Sequence, residues 1–268
     1  MIIKKTFYSS HDQNIMKNEG DILNSREHFF SKKNKNLYYL LKNRYCWMND
    51  YINENDHCIE LGAGSGLLKY FINNNNLKIS DFSTYSFLDY KNIDALETRF
   101  PDNTFDKVIS SNMIHHIAFP IKHFKEVYRI LKPNGMYIIQ DINNSLVIQL
   151  ILMLTRHEGW DFTVDPTNEE TPCNKVDDLW SANVALPNLI FDNWDNFNKK
   201  IFNKFELVHE NFSECLIFLN SGGVVAKTKY IPLNRFFINN IIIKLDKLLV
   251  KFPKIFAMQR SIVLKKIN

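Results

Sequence analysis

The sequence has few cysteines and lacks the long apolar runs of membrane-spanning proteins. Its 268 residues include four cysteines, none in a C-x-x-C pair or near histidines at zinc-ligand spacing. The longest apolar run, 146–154, is interrupted by Gln149 and is too short to cross a bilayer. The first residues, M-I-I-K-K-T-F-Y-S-S-H, contain no apolar stretch of the signal-peptide kind. We therefore expect a cytoplasmic, reduced protein that binds no metal.

A strong excess of charge of either sign is also missing. The chain has 33 Lys and Arg against 29 Asp and Glu, a net charge of +4, and a pI of about 8.7. This mild basicity falls short of a nucleic-acid-binding signature, so we expect no nucleic-acid partner. The hydrophobic fraction of 45% and the charged fraction of 23% are those of an ordinary globular protein. Because neither repeats nor a linker-like tract divides the chain, we expect one domain over residues 1–268.

Glycine is scarce, with eight in the chain, but three fall within five positions in the segment E-L-G-A-G-S-G, residues 60–66. A P-loop needs a lysine and a hydroxyl after its last glycine, and a dinucleotide-binding loop needs G-x-G-x-x-G. Neither is present, because Leu67 and Leu68 follow the glycines. Glu60 would also repel a phosphate. The loop therefore favours a ligand with a neutral or cationic group. S-adenosylmethionine, with its ammonium and sulfonium charges, fits that description.

Strand and helix patterns alternate through the first half of the chain, after an N-terminal helix. The predicted strands cover 57–61, 77–82, a short extended piece reaching Ile93, 105–111 and 136–141. One predicted helix follows the glycines and ends in the run 73–76, and another spans 123–131. This alternation predicts an α/β fold with a parallel sheet covered on both faces. Ligands of such sheets bind at the carboxyl ends of the strands, where we expect Glu60, Gly62, Asp81, Asp94, Asn112 and Asp141.

The second half of the chain is less regular. We expect a helix at 145–156, a long polar loop at 157–172, strands at 204–212 and 260–266, and an apolar helix at 236–252. Lysines accompany the apolar residues of that last helix, so it either covers the sheet or the pocket or lies on the inner face of a membrane. The expected parts are an N-terminal helical cap at 1–56, a cofactor-binding core at 57–141, an acceptor-side insertion at 142–203, and the last strands with a helical insertion at 204–268.

Five segments, in this order, resemble the class I S-adenosylmethionine-dependent methyltransferases, nearest the type 11 methyltransferase domain. They are E-L-G-A-G-S-G at 60–66, Asp81, D-A-L-E-T-R-F-P-D-N-T-F-D at 94–106, S-N-M-I-H-H-I at 111–117, and L-K-P-N-G at 131–135. The resemblance covers about residues 57–141. It implies a Rossmann-like, seven-stranded, mostly parallel sheet of order 3-2-1-4-5-7-6, with helices on both faces, C-terminal insertions and an antiparallel last strand. It also implies S-adenosylmethionine as the cofactor and S-adenosylhomocysteine as the product.

The resemblance assigns cofactor binding to the glycine loop and the strand ends, namely Glu60, Gly62, Ala63, Gly64, Gly66, Asp81, Asp94, Ala95 and Asn112. It implies that the loop lines the methionine part and that Asp81 accepts the ribose hydroxyls. It further implies that Asp94 and the Ala95 backbone read adenine and that Asn112 lies beside the sulfonium. Only the residues 82–93 separate Asp81 from Asp94, too few for the usual full helix between the second and third strands. Asp89 is therefore an alternative ribose ligand.

Methyl transfer mainly requires alignment of the reactants and sometimes a base, for which histidine is the first candidate. The candidates are His157, His116 and Asp141. His116 and its neighbour His115 follow the fourth strand, although each could instead cap or pack the next helix. His157 lies in R-H-E-G-W-D, which could line the acceptor pocket or be a solvated loop. Asp141 could be a base or a strand-end hydrogen-bond acceptor.

We expect a methyltransferase acting on an oxygen or nitrogen of a small-molecule, lipid-linked or saccharide-linked acceptor. The [DN]-P-P-[YFW] motif of nucleic-acid amino-methylating enzymes is missing after the fourth strand, where S-N-M-I stands. A catechol-type magnesium site needs carboxylates after the fourth and fifth strands, and the first is missing. The alternatives are a nucleotide-dependent oxidoreductase and a non-catalytic cofactor-binding subunit that needs a partner.

Overall fold

The computed structural model describes residues 3–8, 21–178, 180–225 and 227–267, so part of the predicted N-terminal cap, 9–20, lies outside the described residues. The strands are β1 (Thr6–Phe7), β2 (Cys58–Glu60), β3 (Lys78–Ile79), β4 (Phe105–Ser111), β5 (Leu131–Ile142), β6 (Trp160–Asp161), β7 (Phe205–Ser213) and β8 (Gln259–Lys266). The α-helices are α1 (Ile22–Phe30), α2 (Lys35–Tyr45), α3 (Pro120–Ile130), α4 (Leu146–Thr155), α5 (Leu186–Phe191), α6 (Trp194–Lys200), α7 (Leu216–Leu219), α8 (Arg235–Phe237) and α9 (Ile243–Leu249).

Six strands form the central sheet, in the order β3-β2-β4-β5-β8-β7. β2 pairs in parallel with β3 and β4, and β4 pairs in parallel with β5. β8 inserts antiparallel between β5 and β7, as expected for the last strand. The predicted α/β class, with a mostly parallel sheet, is confirmed.

The predicted third strand is the main correction to the sheet. Near Ile93 the described chain forms isolated bridges instead of a strand, a parallel one between Ser80 and Tyr90 and an antiparallel one between Asp94 and Glu97. The sheet therefore has six strands among the described residues instead of the predicted seven. The reason is the short connection noted above, because residues 82–93 cannot hold both a crossover helix and a strand. The helix predicted after the glycines is likewise reduced to one 3-10 turn, Leu68–Tyr70.

The two faces of the sheet are covered by different helices. Two successive residues of β4 show this. Val108 packs in a cluster with α3, α5 and α6, whereas Ile109 packs in a cluster with α2. Local sequence signals mark the starts of two helices. The Ser145 hydroxyl accepts from Ile148 N at the start of α4, and Pro120 occupies the first turn of α3.

The predicted helix at 236–252 is present as α8, a π-helical turn at Ile238–Ile242, and α9. Asp246 holds it to the body of the protein, because its buried carboxylate accepts hydrogen bonds from the backbone N–H groups at the start of α7. No helix in the described parts of the chain is long and apolar enough to cross a membrane.

Candidate cofactor and acceptor site

The glycine loop joins β2 to the 3-10 turn and has left-handed backbone at all three glycines, with φ of +65°, +49° and +61° at Gly62, Gly64 and Gly66. A Cβ atom on Gly62 would lie 2.5 Å from Met113 Cγ, so Gly62 is required for packing against the segment after β4. A Cβ on Gly64 would meet only Ile22 Cδ1 within 4 Å, at 3.9 Å. The backbone of Gly64 therefore borders open space that a ligand can fill.

Glu60, at the end of β2, has a buried carboxyl group with one oxygen that lacks a hydrogen-bond partner among the described residues. Its side chain is 2% exposed, and its Oε2 atom has no hydrogen-bond partner among the described residues. Burial, together with the nearby Asp81 carboxylate, raises the pKa of Glu60 well above its ordinary value. A buried carboxylate with an open oxygen is suited to a cationic ligand group, and the ammonium of S-adenosylmethionine is one.

Asp81 follows β3, as predicted, and ties that strand to the glycine loop. Its Oδ2 accepts from Gly64 N at 2.8 Å, and its Oδ1 accepts from Ser83 N at 2.9 Å. Asp89 is engaged differently, because its Oδ2 accepts from Ile79 N at 2.9 Å and lies 3.1 Å from Lys69 Nζ. Of the two ribose candidates, Asp81 is therefore the one beside the loop.

Asp94 and Ala95 lie in a turn, and Asn112 lies at the end of β4. Asp94 is exposed, and its Oδ1 accepts from Leu96 N at 2.8 Å, while the Ala95 carbonyl contacts His123 Nδ1 at 2.9 Å. Asn112 has left-handed backbone, with φ of +50°, and its Oδ1 accepts from Gln259 Nε2 at 2.9 Å. The roles of these residues toward adenine and the sulfonium remain predictions.

The N-terminal helix α1 covers the glycine loop, which the sequence did not indicate. Besides the contact of Ile22 near Gly64, the Arg26 guanidinium donates to the Ser65 carbonyl and lies 3.8 Å above the Phe87 ring. α1 and the segment after β3 therefore enclose the loop from two sides.

A buried imidazole–carboxylate pair lies next to the loop, where β4 and β5 end. His115 Nδ1 is 2.6 Å from Asp141 Oδ1, and both side chains are almost fully buried. Asp141 Oδ2 accepts from the N–H groups of Met113 and Ile114 at 3.1 and 2.8 Å. Burial lowers the pKa of His115, but the Asp141 carboxylate outweighs it and the net shift is upward. Since both oxygens of Asp141 accept hydrogen bonds, a positioning role is favoured over the base role.

His116, His157 and Glu158 extend this cluster. His116 Nδ1 lies 3.1 Å from the Ser181 carbonyl, and burial together with His115 lowers the pKa of His116 to about 4. Glu158 Oε1 is 3.8 Å from His115 Nε2 and 3.7 Å from His157 Nε2. Burial alone would raise the pKa of Glu158, but the three imidazoles lower it. The structure thus brings two predicted residues, His116 and His157, to one place.

Two members of the cluster were not among the predicted catalytic residues, namely His115 and Glu158. Both stand beside a predicted histidine in the sequence, so the local pattern contained a signal for them. Their contacts, however, depend on the ends of separate elements meeting in space.

An α/β sheet with a glycine-rich loop after β2, a buried acid before it and polar groups at the strand ends defines the architecture of a Rossmann-like cofactor-dependent enzyme. A family profile described as "Methyltransferase domain" matches residues 59–139. Residues 59–139 are therefore similar to the domain of S-adenosylmethionine-dependent methyltransferases, and S-adenosylmethionine is the cofactor of this domain. The open Gly64 backbone and the unmatched Glu60 oxygen fit that cofactor.

Relatives with curated names match only parts of the chain. The highly reducing polyketide synthase AurA of Calcarisporium arbuscula is 32% identical over 81 residues, 30% of this chain and 3% of that protein. The ubiquinone/menaquinone biosynthesis C-methyltransferase UbiE of Rickettsia bellii is 25% identical over 149 residues, 56% of either chain. This chain thus spans about half the length of UbiE and a small part of the synthase.

The fold also matches a solved structure over most of its length. An S-adenosylmethionine-dependent methyltransferase from Archaeoglobus fulgidus is 17% identical and superposes with a TM-score of 0.51. The match covers 90% of this chain and 99% of that one. This likeness supports the shared fold.

Proposed function

We propose that this protein transfers a methyl group from S-adenosylmethionine to an oxygen or nitrogen of a small-molecule, lipid-linked or saccharide-linked acceptor. The observation that carries the proposal is the position of the histidine cluster. His115 and His116 follow Asn112 within four residues. Met113, directly after Asn112, packs on Gly62 of the cofactor loop. Groups that can orient a polar acceptor therefore adjoin the expected position of the reacting methyl.

The cofactor is proposed to lie along the glycine loop, with the ammonium group at Glu60. Asp81 is proposed to hold the ribose, Asp94 and the Ala95 backbone the adenine, and Asn112 the sulfonium side. When bound, S-adenosylmethionine supplies a methyl group already activated by the sulfonium. The protein then mainly has to exclude water and hold the acceptor in line.

His116 and His157 are proposed to act on the acceptor side of the site, and Asp141 to position His115. Replacement of a group that acts only on the acceptor lowers turnover, typically by about 10²–10⁴-fold for a proton-transferring group, without weakening cofactor binding. We therefore expect His157→Gln and His116→Gln to lower turnover while the dissociation constant of S-adenosylmethionine stays nearly unchanged. Weakened cofactor binding in both variants would instead assign these histidines to the cofactor side.

Calorimetry and radiolabel transfer test the function itself. The isolated protein is titrated with S-adenosylmethionine and separately with NAD, and then incubated with cell extract and methyl-labelled S-adenosylmethionine. Binding of S-adenosylmethionine together with label transfer supports the proposal. Binding of NAD alone would favour the oxidoreductase alternative. Binding of S-adenosylmethionine without transfer to any extract component would favour a subunit that needs a partner.

A carbon acceptor is the second candidate, favoured by the likeness to UbiE, whose name describes a C-methyltransferase of quinone biosynthesis. Carbon NMR of the product made with 13C-methyl-labelled S-adenosylmethionine separates the candidates, because the methyl carbon resonates at different chemical shifts when it is bonded to oxygen, nitrogen or carbon.

The outer side of the helix at α8–α9 supports a lipid-linked acceptor and peripheral contact with the cytoplasmic face of a membrane. Five apolar side chains, each between 37% and 61% exposed, recur at helical spacing there: Phe237, Ile241, Leu245, Leu248 and Phe252. Three exposed lysines, Lys244, Lys247 and Lys251, accompany them. Exposed apolar residues beside lysines match the chemistry of an anionic lipid surface.

Flotation with phosphatidylglycerol vesicles tests this contact. Leu245→Glu with Leu248→Glu should abolish flotation, whereas Val208→Glu, an equally exposed apolar position on β7, should not. The lipid contact is refuted if the protein fails to float with anionic vesicles or if both variants float equally.

A further inference from the structure

The structure assigns a divalent metal site to His115, His116 and Glu158, and we propose that it binds a zinc-like ion whose open coordination position faces the methyl acceptor. The position of the acceptor rests on the proposed function, whereas the metal site itself rests on the side-chain geometry. The two histidines lie on the 3-10 turn after β4, and Glu158 lies two residues before the start of β6.

The spacing of the three side chains suits a metal. One ligand atom from each residue lies within 4.8 Å of the others, and His115 Nε2 is 3.8 Å from Glu158 Oε1. That separation is too long for a hydrogen bond. Tetrahedral zinc ligands, with bonds of about 2.0–2.2 Å, stand roughly 3.3–3.6 Å apart. The separations between the three ligand atoms, up to 4.8 Å, would therefore have to shorten by roughly 1 Å or less for most geometries and by at most about 1.5 Å to bind one ion.

The hydrogen bonds behind the histidines orient them as ligands. Asp141 accepts backbone hydrogen bonds and contacts His115 Nδ1, while the Ser181 carbonyl can only accept from His116 Nδ1. In each neutral ring the Nδ1 atom thus carries the proton, which leaves the Nε2 lone pair for a metal. Carboxylates and carbonyls behind histidines in this way are the usual outer partners of metal-binding imidazoles.

Glu158 is held in place by contacts from distant segments. The neighbouring Gly159 forms a β-bridge with Asn183, and Asn183 N donates to the His115 carbonyl at 2.8 Å. The backbone beside Glu158 and the backbone of the first histidine are thus linked through one asparagine. A site built on such a fixed frame loses little conformational entropy when it binds an ion.

Two imidazoles and one carboxylate form a ligand set that zinc enzymes use when a fourth position is left for water or substrate. An acceptor hydroxyl at that position would have a lowered pKa and release its proton to bulk water, which leaves an oxygen better suited to attack a methyl group. The sequence predicted no metal, because its cysteines show no zinc-ligand spacing, and a catechol-type magnesium site was excluded because no carboxylate follows β4. Here the carboxylate comes instead from the segment after α4.

Titration of the chelator-treated protein with Co²⁺ and Zn²⁺, followed by calorimetry and visible absorption, tests the site. We expect one ion per chain. Glu158→Gln and His116→Gln, which preserve side-chain bulk, should each weaken binding at least ~10-fold, a loss of the size known even for outer-shell changes. The matched control is His209→Gln, which removes an imidazole that stacks on Trp47. His209 lies on the edge strand β7, which β8 separates from β5, so this variant should bind the ion as the unmodified protein does.

Three results would overturn the site: no binding of either ion, equal binding by all variants, or a thiolate absorption band that places cobalt on cysteine. The titration is independent of turnover, so the two proposals can fail separately. Cofactor binding and full methyl transfer in chelator, without metal binding, would leave only the function standing. Metal binding without affinity for S-adenosylmethionine would leave only the metal site.

Discussion

Replacement of Glu60 by glutamine should change folding stability and cofactor affinity in opposite directions. The carboxylate is 2% exposed, its Oε2 has no hydrogen-bond partner among the described residues, and Asp81 faces it with a like charge. Lys69 lowers the pKa of Glu60, but by less than burial or Asp81 raises it. In the cofactor-free protein the charged form is therefore disfavoured, and glutamine, which has nearly the same shape, removes that penalty.

The sign of the pH effect follows from the direction of the pKa shift. A carboxyl group with a raised pKa in the folded state binds its proton more tightly there than in the unfolded chain. Its unfavourable effect grows as pH rises from the unfolded value of 4.5 toward the folded pKa. One proton corresponds to about 1.4 kcal/mol per pH unit at most. The cofactor-free Glu60→Gln protein should therefore match the unmodified protein near pH 5 and become relatively more stable as pH rises.

Cofactor affinity should respond in the opposite sense. A hydrogen bond between the Glu60 carboxylate and the cofactor ammonium contributes about 1.5–3 kcal/mol, so its loss should weaken binding roughly 10- to 150-fold. In the unmodified protein the affinity should also rise with pH, because the carboxyl group must release its proton to bind the ammonium. In Glu60→Gln this pH dependence should disappear.

Calorimetry with three ligands gives the decisive comparison. S-adenosylmethionine and S-adenosylhomocysteine both carry the amino group and should lose affinity alike in Glu60→Gln. Methylthioadenosine, which lacks that amino group, should bind both proteins equally well. An equal loss for methylthioadenosine would show that Glu60 acts through the shape of the loop. Undiminished affinity for all three ligands would refute the ammonium contact altogether.

The other predictions concern the loop, the adenine contact and the core. Gly64→Ala should weaken S-adenosylmethionine binding at least ~10-fold and lower the melting temperature less than Gly62→Ala does, because both positions have left-handed backbone that a Cβ strains, whereas only the Cβ at position 62 also clashes with the chain after β4. Asp94→Ala should weaken S-adenosylmethionine and S-adenosylhomocysteine equally, by about 1 kcal/mol because Asp94 is exposed, and a loss for only one ligand would contradict the adenine contact. Glu214→Gln should lower the free energy of unfolding by about 3–5 kcal/mol in a denaturant titration, because it leaves Arg44, 3% exposed, without its buried carboxylate; a loss below about 1 kcal/mol would contradict this.

The parts of the fold that the sequence predicted are those set by local pattern. The strand at 105–111 was predicted with the bounds of β4, because a turn at 102–103 precedes a segment of the buried-strand type. The helix predicted at 145–156 is present as α4, and its start agrees because the Ser145 side chain caps it. The third strand failed for the opposite reason. Its expected presence came from the family resemblance, whereas the short connection before Ile93 leaves no room for it.

The cofactor loop and the histidine cluster differ in how far the sequence could lead to them. The loop is contiguous, so its glycines and Glu60 could be found by spacing alone. Glu158 reaches the cluster because β6 pairs with β1, where Trp160 lies opposite Phe7, and because Asn183 joins this two-stranded sheet to His115. Each of these pairings spans at least twenty residues and depends on packing that a local pattern does not encode. The prediction of no metal failed to anticipate the site proposed here for the same reason, namely the long sequence separation between its ligands. Spacing rules detect ligands that share one segment, whereas these come from two segments that only the folded chain brings together.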